Sequence, residues 1–237
     1  MVSKDSRKSF RNHKSSFMNK TAIVIGATGL TGTHLVAALL HDPAFSKVKV
    51  LVRQPWAHDR PKLESIIADF ESDESLAAAL QGDVLFCCIG TTIKKAGSQE
   101  NFRAVDYGIP VKCARIAKQQ GVTQFLLMSS IGANPHSRNF YLRTKGATEE
   151  AIQQVGFYSV NIFRPSVLIG QRKEFRLGEW ISRYLIQLFY FLLQGRWKKY
   201  RGIKAATVAN AMIIAAKEND EGVSIFESDA IQSMGES

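Results

Sequence analysis

Tyr141 and Lys145 stand four residues apart in Tyr141-Leu142-Arg143-Thr144-Lys145. On a helix that spacing puts a phenol and an ammonium on one face. A free phenol ionises near pH ~10, so acid/base work near neutrality needs neighbouring positive charge that favours the phenolate. The lysine supplies such a charge and is long enough to anchor a ribose as well. Ser129-Ser130 comes shortly before, at the end of the apolar run Thr123–Met128. A hydroxyl there would hold the oxygen of a carbonyl substrate, and Ser130 is preferred to Ser129 because it should project into the cleft. The expected catalytic set is Ser130, Tyr141 and Lys145, and the chemistry is hydride exchange at a carbonyl or alcohol carbon.

Such chemistry needs a hydride carrier, and the sequence offers a place for one. The turn Gly26-Ala27-Thr28-Gly29-Leu30-Thr31-Gly32 follows the β-rich run Thr21–Ile25 and precedes the helix-like Leu30–Leu40. Strand, glycine turn and helix in that order bring a pyrophosphate onto unpaired amides at the helix N-terminus. Gly26 is expected to make the tight turn, Gly29 to admit the phosphates and Gly32 to let helix and strand pack closely. The second strand, Val48–Val52, runs into Arg53, where a site for NAD(H) would usually carry an acidic residue. A guanidinium suits a 2′-phosphate, so NADP(H) is expected before NAD(H). Asp69, read as ending a third strand over Ser65–Phe70, is assigned either to the adenine amino group or to capping a helix. Ile89-Gly90 ends a fourth strand, Asp83–Ile89, at the sheet edge where the cofactor must lie.

The elements that must position these groups alternate along the chain. Helices are expected near Leu76–Leu80, over Ala104–Gln119 and over Tyr141–Val155, and a sixth strand over Tyr158–Phe163. Alternation of this kind predicts an α/β fold: a Rossmann-type, doubly wound parallel sheet with helices on both faces. Residues 20–237 are read as one NAD(P)-binding domain. Beyond Pro165 the alternation weakens, and a small C-terminal extension on the substrate side is expected, with residues 170–204 as lid or interface. Within it Trp180–Leu193 is strongly apolar but too short to span a bilayer. A wall over the substrate cleft is the preferred reading of that segment; a dimer contact and a helix lying on a membrane surface stay open. Ile203–Lys217 is read as a return element and helix, and Val223–Phe226 as a short terminal strand.

The formal charge of +10 is concentrated in two places. Residues 1–20 carry a net +5 and residues 171–204 a net +7, so the rest is slightly acidic. The first of these, with residues 1–19 as a basic Ser/Lys/Arg tail, is expected to be disordered. The second is read as a solvated face that also serves phosphate binding, and no nucleic-acid partner is expected. Cys87, Cys88 and Cys113 are read as small core residues in a reducing compartment, and no metal site is expected because no histidine accompanies them at ligand spacing. The tail has no secretory apolar stretch; a mitochondrial leader stays open but is weakly supported, because the tail lacks an apolar helical face, and a cytoplasmic location is expected.

Several segments together resemble the short-chain dehydrogenase/reductase superfamily in its extended or atypical branch, and more narrowly the Tat-interactive oxidoreductase family with its bacterial and fungal relatives. They are Phe86-Cys-Cys-Ile-Gly-Thr-Thr92 with Lys95-Ala-Gly97, Leu127-Met-Ser-Ser-Ile-Gly-Ala133, Tyr141-Leu-Arg-Thr-Lys-Gly146, Phe163-Arg-Pro-Ser-Val-Leu168 and Gly178-Glu-Trp180. The resemblance implies NADPH contacts at Thr28, Gly29, Leu30, Thr31, Arg53, Ile89, Gly90, Tyr141, Lys145, Leu168 and Arg176. It departs at Gln54, where a second arginine is expected, which weakens selection for the 2′-phosphate. Two functions from different classes follow. The first is an NADP(H)-dependent oxidoreductase acting on a small-molecule carbonyl; the second is an NADPH-binding regulatory or adaptor protein without turnover. A homodimer or a protein partner is compatible with either.

Overall fold

The computed structural model describes residues 19–56, 60–170 and 202–236. Its strands are β1 (Lys20–Ile25), β2 (Phe45–Val52), β3 (Leu63–Ile67), β4 (Val84–Cys87), β5 (Gln124–Met128), β6 (Ser159–Arg164), β7 (Leu168–Ile169), β8 (Ile203–Lys204) and β9 (Gly222–Glu227). All but β7 and β8 form a seven-stranded sheet in the order β3-β2-β1-β4-β5-β6-β9. Every neighbouring pair in it runs parallel. The doubly wound Rossmann-type α/β fold expected from the alternation is therefore present.

Strand residues alternate between two cores, as a sheet covered on both faces requires. Ala22, Val24, Val84, Phe86 and Leu126 point to one side, where they meet helices α1 (Leu30–His41), α7 (Ala205–Glu218) and α8 (Ser228–Gly235). Ile23, Ile25, Leu85, Cys87, Phe125 and Leu127 point to the other, where they meet α2 (Asp73–Ala79), α5 (Ile109–Gln119) and α6 (Phe140–Gln153). The adjacent cysteines thus belong to different cores, Cys87 to the second and Cys88 to the first. All three cysteines are buried free thiols.

Two expectations about the later chain are corrected. The terminal strand is longer than Val223–Phe226: β9 pairs with β6 over six residues, from Ser159↔Gly222 to Arg164↔Glu227. Helix α7 packs on α1, and α8, which the sequence reading missed, closes that layer through the buried Ile231. The C-terminal part of the chain therefore belongs mainly to the central fold. What is described of the extension is the two-stranded parallel pair of β7 with β8. Trp180–Leu193, Arg176 and the basic tail lie outside the described residues.

A third difference bears on the site. The helix expected over Ala104–Gln119 begins earlier, after α3 (Ile93–Ala96), as α4 (Gln99–Arg103), and widens into a π turn over Ala104–Gly108 before α5. Pro110 explains the widening: it has no N–H to give the carbonyl four residues back, and its ring crowds that carbonyl. The freed oxygen belongs to Asp106, and it accepts a 2.9 Å hydrogen bond from the Thr148 hydroxyl of α6.

Candidate functional site

The glycine turn lies where the strand order reverses, between β1 and β4, the crevice in which open parallel sheets bind ligands. Gly26 has φ +81, and a Cβ there would lie 2.5 Å from the Cys88 carbonyl carbon. Only glycine allows the turn to close against the end of β4. Gly32 permits the matching approach on the helix side, since its Cβ would lie 2.2 Å from the Gly26 carbonyl oxygen. Gly29 caps α1 without a side-chain hydrogen bond, so the first-turn amides of Leu30, Thr31 and Gly32 have no intrahelical partner. The Thr31 hydroxyl, also buried, has no hydrogen-bond partner among the described residues. Free amides, a helix dipole and an orphaned hydroxyl fit the pyrophosphate of a dinucleotide.

Across the crevice, β4 ends into Cys88, half-buried Ile89 and exposed Gly90. A side chain at Gly90 would start 3.8 Å from Lys145 Nζ and 3.7 Å from Asp106 Oδ1. The β4 end and the Lys145 side of α6 thus meet at Gly90. Helix α6 is begun by Asn139, whose side chain accepts from the Leu142 amide. It lies tight against the preceding loop because residue 146 has no side chain; a Cβ there would lie 2.2 Å from Pro135 N. On this helix the half-buried Tyr141 packs its ring at 5.6 Å from that of the buried Phe102 of α4. One turn on, Lys145 is buried.

Lys145 is paired with a residue that the sequence reading missed. Its Nζ lies 2.8 Å from Asp106 Oδ1, and both side chains are buried. Burial pulls the Lys145 ammonium down, but the charges of Asp106 and Tyr141 outweigh it, so the group sits above the ordinary lysine value. Asp106 Oδ2 accepts the Thr91 amide at 2.8 Å. An acidic residue four positions before Pro110, within an otherwise helical stretch, was the signal that could have found it. Cys87 lies close enough to feel both charges, yet burial pushes its thiol up to about 12.

Ser129 and Ser130 have different surroundings. The Ser129 hydroxyl is hydrogen-bonded to the buried Glu149 of α6. That carboxylate is also gripped twice by Arg164, at 3.0 Å and 2.6 Å. Ser130 is half-buried, and its hydroxyl reaches the Ile131 carbonyl at 3.5 Å. Arg53 follows β2 directly and is exposed. Asp69 stands beyond β3, which stops at Ile67. Its carboxylate accepts the Glu71 amide in a turn, while Ser72 caps α2. Leu168 is half-buried in β7, and the following Gly170 sits against the Leu30 side chain, so the β7–β8 pair borders the glycine turn. Thr28 and Gly29 are exposed on the turn itself. Among the described residues no group of three or more His, Cys, Asp or Glu could hold a metal ion. No described helix is long and apolar enough to cross a membrane.

Residues 26–176, from the glycine turn through α6 and beyond, match the family model described as NAD(P)H-binding. The chain belongs to the NAD(P)H-binding family. This NAD(P)H-binding protein is 35% identical to Protein HTATIP2 of Rattus norvegicus over 222 residues, which cover 92% of this chain and 90% of that one. It is 38% identical to the mitochondrial Protein FMP52 of Candida albicans over 212 residues, covering 85% and 90%. Among solved structures it resembles the Bordetella bronchiseptica enzyme WbmH in complex with NAD+, with a TM-score of 0.66 at 16% identity, covering 92% of this chain and 80% of that one. That last likeness is one of fold.

Proposed function

We propose that this NAD(P)H-binding protein is an NADP(H)-dependent oxidoreductase of the short-chain dehydrogenase/reductase type, acting on a carbonyl or alcohol. The observation that carries the reading is the meeting at Gly90. There α6 brings Lys145 to the end of β4, beside the crevice that the glycine turn opens. The first-turn amides of α1 with Thr31 would hold the pyrophosphate, Arg53 the 2′-phosphate, and Lys145 the nicotinamide ribose. When bound, the nicotinamide supplies or accepts the hydride.

The protein's own groups manage the proton. In the reducing direction Ser130 donates a hydrogen bond to the substrate oxygen, and Tyr141 gives that oxygen its phenolic proton as negative charge builds on it. Lys145 then offsets the charge left on the phenolate until solvent returns the proton. In the oxidising direction each step reverses. Ser130, not Ser129, takes the orienting role, because the Ser129 hydroxyl is already committed to Glu149.

Tyr141→Phe tests this reading. The variant is expected to bind NADPH as the wild type does and to lose turnover by about 10²–10⁴-fold on a carbonyl compound that the wild type reduces. Full activity in the variant defeats the assignment. NADPH that is bound but never consumed over a broad carbonyl panel favours an adaptor without turnover. A cytoplasmic location is part of the proposal, and imaging the full chain tests it; the fungal relative carries the word mitochondrial in its name.

A further inference from the structure

We propose that Ser228, the first residue of α8, is a positioning residue of the site: its hydroxyl fixes the loop after β6, which joins the two walls of the crevice. The proposal deepens the oxidoreductase reading and rests on it for turnover, though not for cofactor binding.

The need for such a residue follows from the chain itself. Strand β6 ends at Arg164, which pairs in register with Glu227 of β9. Pro165 comes next and has no N–H to continue a ladder. On the neighbouring strand the backbone departs at Ser228 to form α8. The half-buried Ser166 amide is therefore the first donor beyond the ladder, and it needs a partner. The Ser228 side chain stands in for the departed strand. Its hydroxyl accepts the Ser166 amide at 3.2 Å and donates to the Ser166 hydroxyl at 3.1 Å. Ser228 is itself buried.

An anchor has to be fixed before it can fix a loop, and α8 is fixed at several points. Ile231 is buried in the core, and a Cβ at Gly235 would lie 2.1 Å from the Thr207 carbonyl oxygen of α7. Arg164 holds Glu227, the residue before Ser228, at 3.2 Å.

The loop that Ser228 holds touches both sides of the site. Its Pro165 carbonyl accepts the Ile131 amide at 3.0 Å, one residue past Ser130. Its Val167 carbonyl accepts the Ile203 amide of β8 at 3.0 Å. Farther on, Gly170 lies against the first turn of α1, where a Cβ would come within 2.7 Å of Leu30 Cδ1. The loop thus connects the serine that would orient the substrate oxygen with the helix end that would receive the pyrophosphate. Releasing it from Ser228 should loosen both walls together.

Three variants of the full chain test this. Ser228→Ala removes the hydroxyl, Ser228→Thr keeps it, and Ile231→Val weakens the seat of α8 without touching the latch. Ser228→Ala should raise the dissociation constant for NADPH about two- to tenfold, read by cofactor fluorescence at a temperature where every variant is folded. Hydrogen exchange at the Ser166 and Ile131 amides should quicken by about the same factor or more. Turnover on a carbonyl compound that the wild type reduces should fall roughly tenfold or more, as Ser130 loses its fixed position. Ser228→Thr should return all three readings toward the wild type. Ile231→Val should melt a few degrees lower and bind NADPH as the wild type does.

A folded Ser228→Ala variant with wild-type NADPH affinity, or with wild-type exchange at Ser166, overturns the proposal. So do Ala and Thr variants that behave alike, or an Ile231→Val variant that weakens NADPH as much as Ser228→Ala. Should Ser228→Ala not fold, exchange in the wild type decides. The Ser166 and Ile131 amides are expected to be protected and to slow further when NADPH binds. A Ser166 amide that exchanges at the rate of an open chain, or that NADPH leaves unmoved, refutes the latch. If the wild type reduces no carbonyl at all, the oxidoreductase reading fails alone, and NADPH affinity with amide exchange still judges Ser228.

Discussion

The hydroxyl of Ser129 is bound to the buried carboxylate of Glu149, and that bond gives two adjacent serines different surroundings. Glu149 is in turn held by Arg164, which also reaches Glu227 at 3.2 Å. One buried carboxylate thereby ties β5, α6 and β6 together at their carboxyl ends, with β9 joined through the shared arginine. Ser130 is left outside that network.

Substituting the two serines should therefore separate stability from activity. Ser129→Ala strips a partner from a buried carboxylate and is expected to cost about 1–3 kcal/mol, read as a lowered melting temperature. Ser130→Ala should melt like the wild type and lose turnover, with NADPH affinity unchanged. The opposite pattern, stability lost at Ser130 and turnover at Ser129, would reverse the assignment.

The glycine turn offers a test with a built-in control. Gly97 has φ +82 and nothing within 4 Å of the place a methyl would take, whereas Gly26 has φ +81 and meets the β4 end. Alanine at Gly97 bears only the left-handed backbone cost, about 1–3 kcal/mol. Alanine at Gly26 bears that cost and must also push β1 and β4 apart. A clearly larger fall in melting temperature at Gly26, with loss of NADPH binding, is expected from thermal melts and fluorescence titration. Equal falls would mean that close approach adds nothing.

Arg53 bears on cofactor choice. Removing a guanidinium that meets a phosphate costs about 1.5–3 kcal/mol, or roughly ten- to a hundredfold in affinity. Arg53→Ala should raise the dissociation constant for NADPH by that factor and leave that for NADH nearly alone. Parallel titrations settle it, and equal weakening of both cofactors would remove Arg53 from the 2′-phosphate site.

The buried thiols predict how stability varies with pH. Burial raises Cys87 from 9.0 to about 12, and it raises Cys88 and Cys113 as well. Between those limits the native chain keeps protons that the unfolded chain has released, so stability falls as pH rises through the window. Melting temperatures at pH 8 and pH 10.5 should show the decline, and Cys87→Ala should flatten it. A thiol-specific reagent at pH 8 should label the three cysteines only as the protein unfolds.

Much of the fold was legible because strand and helix leave different periods in a chain. The continuous apolar run through Phe86 and Cys87 has the character of a strand covered on both faces, and the glycine turn stands where it would follow a strand and open a helix. Tyr141 and Lys145 were legible from their spacing, a local relation on a helix, together with the serine-ended strand and the glycine turn before them. Element ends were less legible: β3 stops two residues short of Asp69 because the turn before α2 draws on that side chain.

Relations between distant residues were beyond the sequence. The order of strands along the sheet, with β9 beside β6, depends on which surfaces the helices leave open, and no local pattern encodes it. Which of two adjacent serines is committed to a buried carboxylate depends on Glu149, twenty positions from Ser129. The partner of Lys145 is Asp106, which reads as one more polar residue on a helix until Pro110 widens the turn and burial brings the charges together. By itself the sequence determined the repertoire, a dinucleotide turn with a phenol and an ammonium one helical turn apart. Only the tertiary structure decided which buried charge answers which, because desolvation and pairing act through space.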